Sequence, residues 1–409
     1  MTEAVAQLQR GLELLANMPE ESRLALQELD LQITLGRALM AAHGYSAPVV
    51  ADTLVRARAL AERFNRPDRL APLLYSQWGF HLVRSEHELA VSLAEQMEEF
   101  GETRKDQAAL LLGHYIHGAS CYFRGEFVEA RALLELCDGL RDPAARAIYA
   151  AITVADPHAA SLGHLASTLA LLGHIDQGRA RVNEALSEAQ RLNHPFTVAF
   201  VLSKVCAVEA AAGLSHEAQR HAEELVALSN EHGFPLWLGF GLLQQGRSLT
   251  AFGQAQEGLA VLARGLSVLR AAGAVVHTPC ALRFLAEAHA KMGDLQEGQN
   301  CLAEAAQLIE TTHERSSEVE LHRLRGDMMN ARGDHAAAEQ NYHRALALAE
   351  RQNAKTFGLR AAASLARLWR GQGKCTEARD LLALRYGWFT EGFDMPVLRD
   401  AKELLEELA

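Results

Sequence analysis

GRSLTAFGQAQEG, residues 246–258, contains three small residues at fixed spacing, and this spacing decides the fold of the whole chain. Gly253 stands in the middle, with small residues seven positions before it at Gly246 and five positions after it at Gly258. A glycine can take the left-handed backbone conformation that ends one helix and lets the next begin. Small residues at the outer two positions let two antiparallel helices approach closely. The stretch therefore predicts an α-hairpin.

The same three small residues recur every 40 residues, with turn glycines from Gly173 to Gly373. This regular spacing predicts a stack of hairpins, each of which buries its apolar face on its neighbours. It resembles a tetratricopeptide repeat, whose unit of about 34 residues is shorter. The extra residues fall between hairpins, in stretches such as RLNHPF. The turn glycines are Gly173, Gly213, Gly253, Gly293, Gly333 and Gly373, with Ala166, Cys206, Gly246, Ala286, Gly326 and Ala366 before them and Gly178, Ala218, Gly258, Gly298, Ala338 and Ala378 after them.

Weaker copies of the unit precede this series, with turns at Gly44, Ser85 and Gly125. The step from Gly125 to the next turn is 48 residues, which places an insertion between repeats within residues 138–162. An insertion in a solenoid emerges on one face and often has a function, although a plain elongated loop is the alternative. The predicted fold class is all-α, a right-handed α-solenoid of about nine two-helix repeats forming a single domain over residues 1–409.

Both ends of the chain depart from the repeat. Residues 1–20 match the second helix of a later hairpin, so we expect an orphan helix whose apolar stripe needs an upstream segment or a docked partner to cover it. Residues 386–409 predict a C-terminal cap, with a helix over 396–408 and Asp394 as its N-cap. With nine hairpins, these two additions bring the predicted count to twenty helices.

Composition excludes several classes of function. The net charge of -11 and the pI near 5.9 argue against a general affinity for nucleic acid or acidic membranes. The sequence has no secretory segment and no apolar run of about 18 residues, so a cytoplasmic protein is expected. The six cysteines include no CxxC pair, which favours buried reduced thiols over disulfides or metal ligands.

No motif for catalysis stands out. GQGKCT, residues 371–376, lacks both the first glycine and the hydroxyl of a phosphate-binding loop. His114 and His117 can share one helix face but have no third metal ligand nearby in sequence. Asp156 and His158 could form an acid–base pair, but a helix-capping Asp156 before a proline is the better interpretation. We therefore predict no enzyme activity, no cofactor and no metal site in this chain.

The remaining candidate is a binding surface. In tetratricopeptide arrays the first helix of each hairpin lines the concave side, at positions about 13, 10, 6, 3 and 2 residues before the turn. Arginine pairs well with carboxylates and phosphates, so the hypothesis is a channel for an acidic or mixed peptide or a small ligand. The alternative is that the aromatic rings pack between helices and the arginines form ion pairs within the array. The predicted positions are Tyr75, Tyr115, Tyr122, Phe123, Phe200 and Phe240 in the first half, and Arg247, Arg283, Glu287, Lys291, Glu320, Arg323, Asp327, Asn330, Arg360, Arg367 and Arg370 in the second.

Several stretches closely resemble the C-terminal region of bacterial multidomain signalling proteins: residues 28–48, 233–241, 316–327 and 360–374, and YGWFTEGFD at 386–394. In that family a cyclase-like domain or another module is followed by a STAND-class ATPase and then by a helical array. The chain is also similar to the sensor superhelix of maltose-type transcriptional activators. The resemblance implies that the array senses a protein, peptide or small inducer and regulates an upstream ATPase or cyclase domain. A free-standing interaction adaptor is the alternative, and the exposed first helix makes a homodimer credible.

Overall fold

The computed structural model describes residues 2–18, 22–44, 47–64, 66 and 69–409, and these residues form 21 α-helices and no β-strand. The predicted all-α array is confirmed. The first helices of the nine hairpins are α2 (Ser22–His43), α4 (Leu70–Val83), α6 (Gln107–Arg124), α9 (Pro157–Leu171), α11 (Pro195–Ala212), α13 (Pro235–Ala251), α15 (Thr278–Lys291), α17 (Glu318–Ala331) and α19 (Lys355–Gly371). The second helices are α3 (Pro48–Arg63), α5 (His87–Arg104), α7 (Phe127–Gly139), α10 (Ile175–Arg191), α12 (Ser215–His232), α14 (Ala255–Ala271), α16 (Leu295–Thr312), α18 (His335–Gln352) and α20 (Cys375–Tyr386).

The predicted turns are where the 40-residue spacing puts them. The six turn glycines from Gly173 to Gly373 all have positive φ, between 78° and 93°. The flanking small residues face each other across the hairpin. A Cβ added to Gly258 would lie 2.7 Å from the carbonyl oxygen of Gly246, so neither position has room for a side chain without moving the helices apart.

A second left-handed residue recurs in the connections between hairpins, where the extra residues of each repeat lie. Each one follows a second helix, and together they repeat the 40-residue spacing. The residues are Asn193, Gly233, Gly273, His313 and Asn353, with φ between 50° and 70°. Asparagine, histidine and glycine tolerate this region better than most residue types. Each repeat therefore has two sharp reversals.

The inserted segment is partly helical. It contains a short 3-10 turn over Pro143–Ala145 and helix α8 (Arg146–Ile152), so the predicted count of twenty helices is one short. Helix α8 packs against α4, and the Arg37 guanidinium of α2 donates to the carbonyl groups of Ala150 and Thr153 at 2.5 and 3.2 Å. These carbonyls lie at the C-terminal end of α8, where a cation is favourable.

The two ends pack on the array. Helix α1 (Thr2–Ala16) contacts α2, and the final helix α21 (Pro396–Glu407) contacts α11, α19 and α20. The N-cap of α21 is Met395 in an extended conformation, so the prediction of Asp394 as the cap was wrong by one residue. A proline in the first turn fixes the start of this helix without a side-chain cap.

Successive turns of the superhelix are in direct contact, and we call this contact the closure of the superhelix. The N–H groups of residues 275–276 both donate to the carbonyl of Val83, at 2.9 and 3.0 Å. One repeat later, the N–H groups of residues 315–316 donate in the same way to the carbonyl of Phe123, at 2.9 and 3.1 Å. These bonds join the loop before a first helix to the end of a first helix one superhelical turn earlier.

Side chains reinforce this closure. The Thr356 hydroxyl donates to the carbonyl of Ala170, 186 residues away in sequence. The carboxylate of Glu314, only 1% exposed, accepts hydrogen bonds from the Ser85 hydroxyl and the His277 N–H, both at 2.9 Å. Because a buried carboxylate is stable only when it is well bonded, these contacts fix the distance between successive superhelical turns.

Helix α11 is long and apolar enough to cross a bilayer by length and composition, but 78% of it is buried inside the array, as in the core helix of a folded domain. Its charged residues are Lys204 and Glu209, both buried. All six cysteines are free thiols: Cys121, Cys137 and Cys206 are buried, as predicted, whereas Cys280 and Cys301 are partly exposed and Cys375 is exposed.

Candidate functional site

The first helices enclose a series of three adjoining cavities, which we call the interior channel. A cavity of about 60 Å³, the aromatic chamber, is lined by residues of α4, α6, α9, α11 and α13. A middle cavity of about 110 Å³ shares Phe240 and His277 with it. The arginine chamber, of about 330 Å³, shares Arg247 and Arg360 with the middle cavity and is bordered by α21.

Twelve of the seventeen positions predicted from the sequence as a binding surface line this channel; their part in binding stays a prediction. Tyr75, Tyr115, Phe123, Phe200 and Phe240 line the aromatic chamber. Tyr122 and Arg283 line the middle cavity, Arg323 lines the arginine chamber, and Arg247 and Arg360 line both.

The aromatic residues also pack against one another, as the alternative interpretation expected. Trp78 and Tyr115 meet edge to face at 5.9 Å between ring centroids, and His164 contacts Phe200 at 5.4 Å. Tyr115 is 2% exposed, so most of its surface is used in packing. Burial raises the pKa of Tyr75 well above its ordinary value. The rings therefore form a rigid, apolar wall.

Lys204 places a cation against this wall. Its Nζ lies 5.8 Å from the ring centroid of Tyr122, 5.8 Å from that of Phe123 and 5.2 Å from that of Phe200. The residue is only 7% exposed, and burial lowers the pKa of its ammonium group to about 7. Among the residues that the structure describes, no carboxylate is within ion-pair distance of this nitrogen. Three ring faces stabilise the charge only in part.

Other polar groups of the chamber lack partners as well. The indole N–H of Trp237 and the Nε2 atom of His164 are buried without a hydrogen bond among the described residues. Burial lowers the pKa values of both His164 and His277 well below the ordinary range, so both rings are neutral near pH 7. Buried polar groups are normally satisfied, and unsatisfied ones that line a cavity indicate a site for a ligand or for water.

The arginine chamber has a different character, because its charges are matched within the array. Glu320, fully buried, accepts two hydrogen bonds from Arg323 at 2.9 and 3.1 Å and pairs with Arg360 at 3.1 Å. Burial would raise the pKa of Glu320, but Arg323, Arg360 and Arg283 lower it to about 2. Arg323 also donates to Asp327, so it has little capacity left for a ligand.

Arg247 lies between the two regions. Its guanidinium donates to the carbonyl of Ala210 at 3.2 Å and lies 5.5 Å from the ring centroid of Phe284. Burial, followed by the charges of Arg360 and Arg283, lowers its pKa to about 10. No ion pair forms between Arg247 and a carboxylate in the described part of the chain. It remains available to an anion.

The other charged or polar positions in the predicted set mostly have partners within the array. Lys291 donates to the carbonyl of Thr250, Asn330 bonds His335, and Arg370 pairs with Glu407. Burial would raise the pKa of Glu287, but Arg323, Arg283, Arg247 and Arg360 together lower it. Glu287 and Arg367 both line the arginine chamber.

Lys204, His164 and Gln244 are not among the positions predicted from the sequence, although one signal identifies all three. Each lies nine residues before its turn glycine, a position outside the inward set that was used. Lys204 also interrupts an otherwise apolar helix. Structural comparison of successive repeats shows that this position faces the channel: His164 and Lys204 line the aromatic chamber, and Gln244 lines the middle cavity.

The histidine pair and the acid–base pair are structural, as the sequence indicated. Glu98 accepts from the Nδ1 atoms of His114 and His117 at 2.8 and 3.1 Å. Asp156 caps α9 by accepting from the N–H of Ala159 at 2.9 Å. No group of three or more histidine, cysteine, aspartate or glutamate side chains in the described residues is arranged to hold a metal ion.

Comparison with known proteins supports the repeat assignment. A tetratricopeptide repeat model matches residues 277–351, which covers the hairpins of α15 to α18. No curated protein sequence matches the chain significantly. The predicted tetratricopeptide-like array is confirmed by this match together with the observed helix repeat.

Solved structures of similar fold include complexes with other molecules, and two of them are peptide complexes. A Rap protein complexed with competence and sporulation factor has 14% identity and a TM-score of 0.62, with 86% of this chain and 98% of that chain covered. NprR in complex with its cognate peptide NprX has 12% identity and a TM-score of 0.57, with 87% and 98% covered. The Rap conjugation gene regulator of plasmid pLS20 in complex with the Phr* peptide has 10% identity and a TM-score of 0.53, with 93% and 96% covered. At these identities the likeness shows the fold alone.

Proposed function

We propose that this array of tetratricopeptide-like repeats is the non-catalytic sensor region of a cytoplasmic signalling protein. It binds a peptide or a small acidic ligand in the interior channel. The change in the array on ligand binding then regulates a neighbouring output domain, a STAND-class ATPase or a nucleotide cyclase. Small changes at each hairpin interface add up along a solenoid, so a bound ligand can change the pitch of the whole superhelix.

The observation that carries this proposal is the presence of two cations, one buried and one partly buried, without carboxylate partners along the interior channel. Lys204 and Arg247 lie at two points of the channel, and neither forms an ion pair with a described carboxylate. A buried charge without a partner is unfavourable, and a bound anion would relieve it. Two proteins of similar fold have been solved with peptides bound, which supports a peptide as one class of ligand.

Peptide selection on the immobilised chain tests the binding step. We expect random displayed peptides with acidic residues to be enriched. Ala207→Phe, which puts a ring into the middle cavity, should abolish their binding. Val55→Phe, at a position that is 69% exposed, is the matched control and should leave binding unchanged. If the enriched peptides bind the Ala207→Phe variant and the wild type with equal affinity, the result favours instead an adaptor that binds partners on its outer surface.

The open reading frame around this chain tests the regulatory step. A phosphate-binding loop encoded upstream in the same frame supports attachment to an ATPase. A stop codon immediately before Met1 supports the free-standing adaptor. In the first case, a selected peptide should change the ATP hydrolysis rate of the full-length protein, and Ala207→Phe should remove that response.

A further inference from the structure

The aromatic chamber contains a cation that the fold does not need. Lys204 lies in the middle of α11, the most apolar long helix of the array, and is 7% exposed. A methionine of similar length would fill the same space without the unfavourable burial of a charge. Its stem packs against Gly163 of α9, where a Cβ would lie 3.0 Å from the Lys204 Cγ atom. The absence of a side chain at residue 163 therefore makes room for the lysine.

The groups around the Lys204 nitrogen select the kind of ligand. Tyr122, Phe123 and Phe200 present their rings to it, and Trp237 adds an unbonded indole N–H to the same chamber. One ammonium and one indole N–H without hydrogen-bond partners among the described residues thus belong to this chamber, and an anionic acceptor can satisfy both. Most of the remaining wall consists of aromatic rings and aliphatic side chains, so an apolar group suits the uncharged part of the ligand.

We propose that the aromatic chamber binds the carboxylate end of an apolar acid, with the carboxylate between Lys204 and Trp237 and the apolar group extending toward the middle cavity. This inference rests on the proposed function and names the chemistry of its ligand. An aryl or branched alkyl carboxylate fits. It is supplied either by a free small acid or by the C-terminal residue of a peptide.

Protonation changes accompany this binding. Lys204 is surrounded by Tyr122 on α6, His164 on α9 and His277 before α15, and burial keeps both histidines neutral near pH 7. A carboxylate beside Lys204 raises the pKa of the ammonium group from about 7 toward its ordinary value. Binding at pH 8 to 9 should therefore take up a proton.

Calorimetric titration of the full chain with phenylacetate and its neutral isostere 2-phenylacetamide tests the proposal. Phenylacetate should bind about 10- to 100-fold more tightly, because the acid makes a buried charged hydrogen bond that the amide cannot make. At pH 8.5, the heat should differ between buffers of different ionisation enthalpy by the amount that proton uptake requires. Lys204→Met should remove both the preference and the proton uptake.

Lys402→Met is the matched control, because the Lys402 side chain is 64% exposed on α21. It should bind phenylacetate as the wild type does. Circular dichroism of Lys204→Met should show an unchanged helix content, so that lost binding reports the site and not the fold. Tryptophan fluorescence gives a second readout, because Trp78 and Trp237 line the chamber.

Two peptides distinguish the sources of the carboxylate. If Gly-Gly-Phe binds more tightly than phenylacetate and its C-terminally amidated form does not bind, the natural ligand is a peptide C-terminus. Tighter binding of phenylacetate identifies a free acid. Equal affinity for acid and amide, unchanged binding in Lys204→Met, or no heat from any of these acids overturns the proposal. A further outcome separates this inference from the proposed function. If the selected peptides lose binding to the Ala207→Phe variant but bind the Lys204→Met variant as they bind the wild type, this inference is overturned and the proposed function stands.

Discussion

The two ends of the interior channel bury cations in opposite ways. In the arginine chamber, Glu320 balances Arg323 and Arg360 through direct hydrogen bonds and an ion pair. In the aromatic chamber, Lys204 meets ring faces and no described carboxylate. A matched cluster stabilises the fold once it has formed, whereas an unmatched charge destabilises it until an anion arrives. Both chambers take cations out of water, and the presence or absence of a carboxylate partner separates the structural cluster from the candidate site.

The largest effect is expected from breaking the matched cluster. Glu320→Gln leaves the three arginines around it without their shared carboxylate, and it should lower the free energy of unfolding by about 3–5 kcal/mol. Urea denaturation followed by circular dichroism measures this change. Glu406→Gln, in the exposed pair with Lys402, is the control and should change it by less than about 1 kcal/mol. If Glu320→Gln leaves the free energy of unfolding unchanged, the arginine chamber does not depend on its carboxylate, and the two chambers do not differ in how they stabilise buried cations.

Removing the unmatched charge should have the opposite sign. Lys204→Met should raise the free energy of unfolding by about 1–4 kcal/mol, because an apolar side chain replaces an unpaired buried ammonium. The folded pKa of about 7 is below that of the unfolded chain, which therefore binds more protons between these two values. The stability of the wild type should rise with pH from about 7 to about 10. Equilibrium unfolding across this range should show a smaller rise in the variant, and a destabilised Lys204→Met would break the comparison.

Loosening the closure of the superhelix should affect one chamber more than the other. Glu314→Ala leaves the Ser85 hydroxyl and the His277 N–H without their acceptor, which should lower the free energy of unfolding by about 1–3 kcal/mol. His277 lines the aromatic chamber, so amide hydrogen exchange should quicken at residues 275–276 and not in α17. Equal acceleration in both regions would show that they open together.

Arg247 should give the smallest change in stability and so locate the boundary between the chambers. Arg247→Met loses a hydrogen bond to Ala210 but also relieves a partly buried charge, so we expect a change within about 1 kcal/mol. The same variant should still weaken the binding of selected acidic peptides. Urea denaturation and peptide titration on one preparation test both statements, and a loss as large as that of Glu320→Gln would assign Arg247 to the matched cluster.

The sequence predicted the local repeat better than the path of the superhelix. Evenly spaced glycines identify hairpins because each turn needs a left-handed residue. They do not reveal the small rotation between hairpins, and this rotation decides whether the loop at residues 275–276 reaches Val83. The inward positions taken from tetratricopeptide arrays found the ring faces and the arginines. They missed Lys204 because the set omits the position nine residues before the turn, which lies one helical turn after Phe200 and on the same face of α11.

The hydrogen bonds between successive superhelical turns limit how this molecule can respond. The carbonyls of Val83 and Phe123 are already in contact with the loops that follow one turn later, so the coil has no free distance left along its axis. Compression is therefore excluded, and a change of length can only be an extension that begins by separating these loops. A ligand that acts through the shape of the array must act in this one direction, by holding the coil shut or by letting it lengthen.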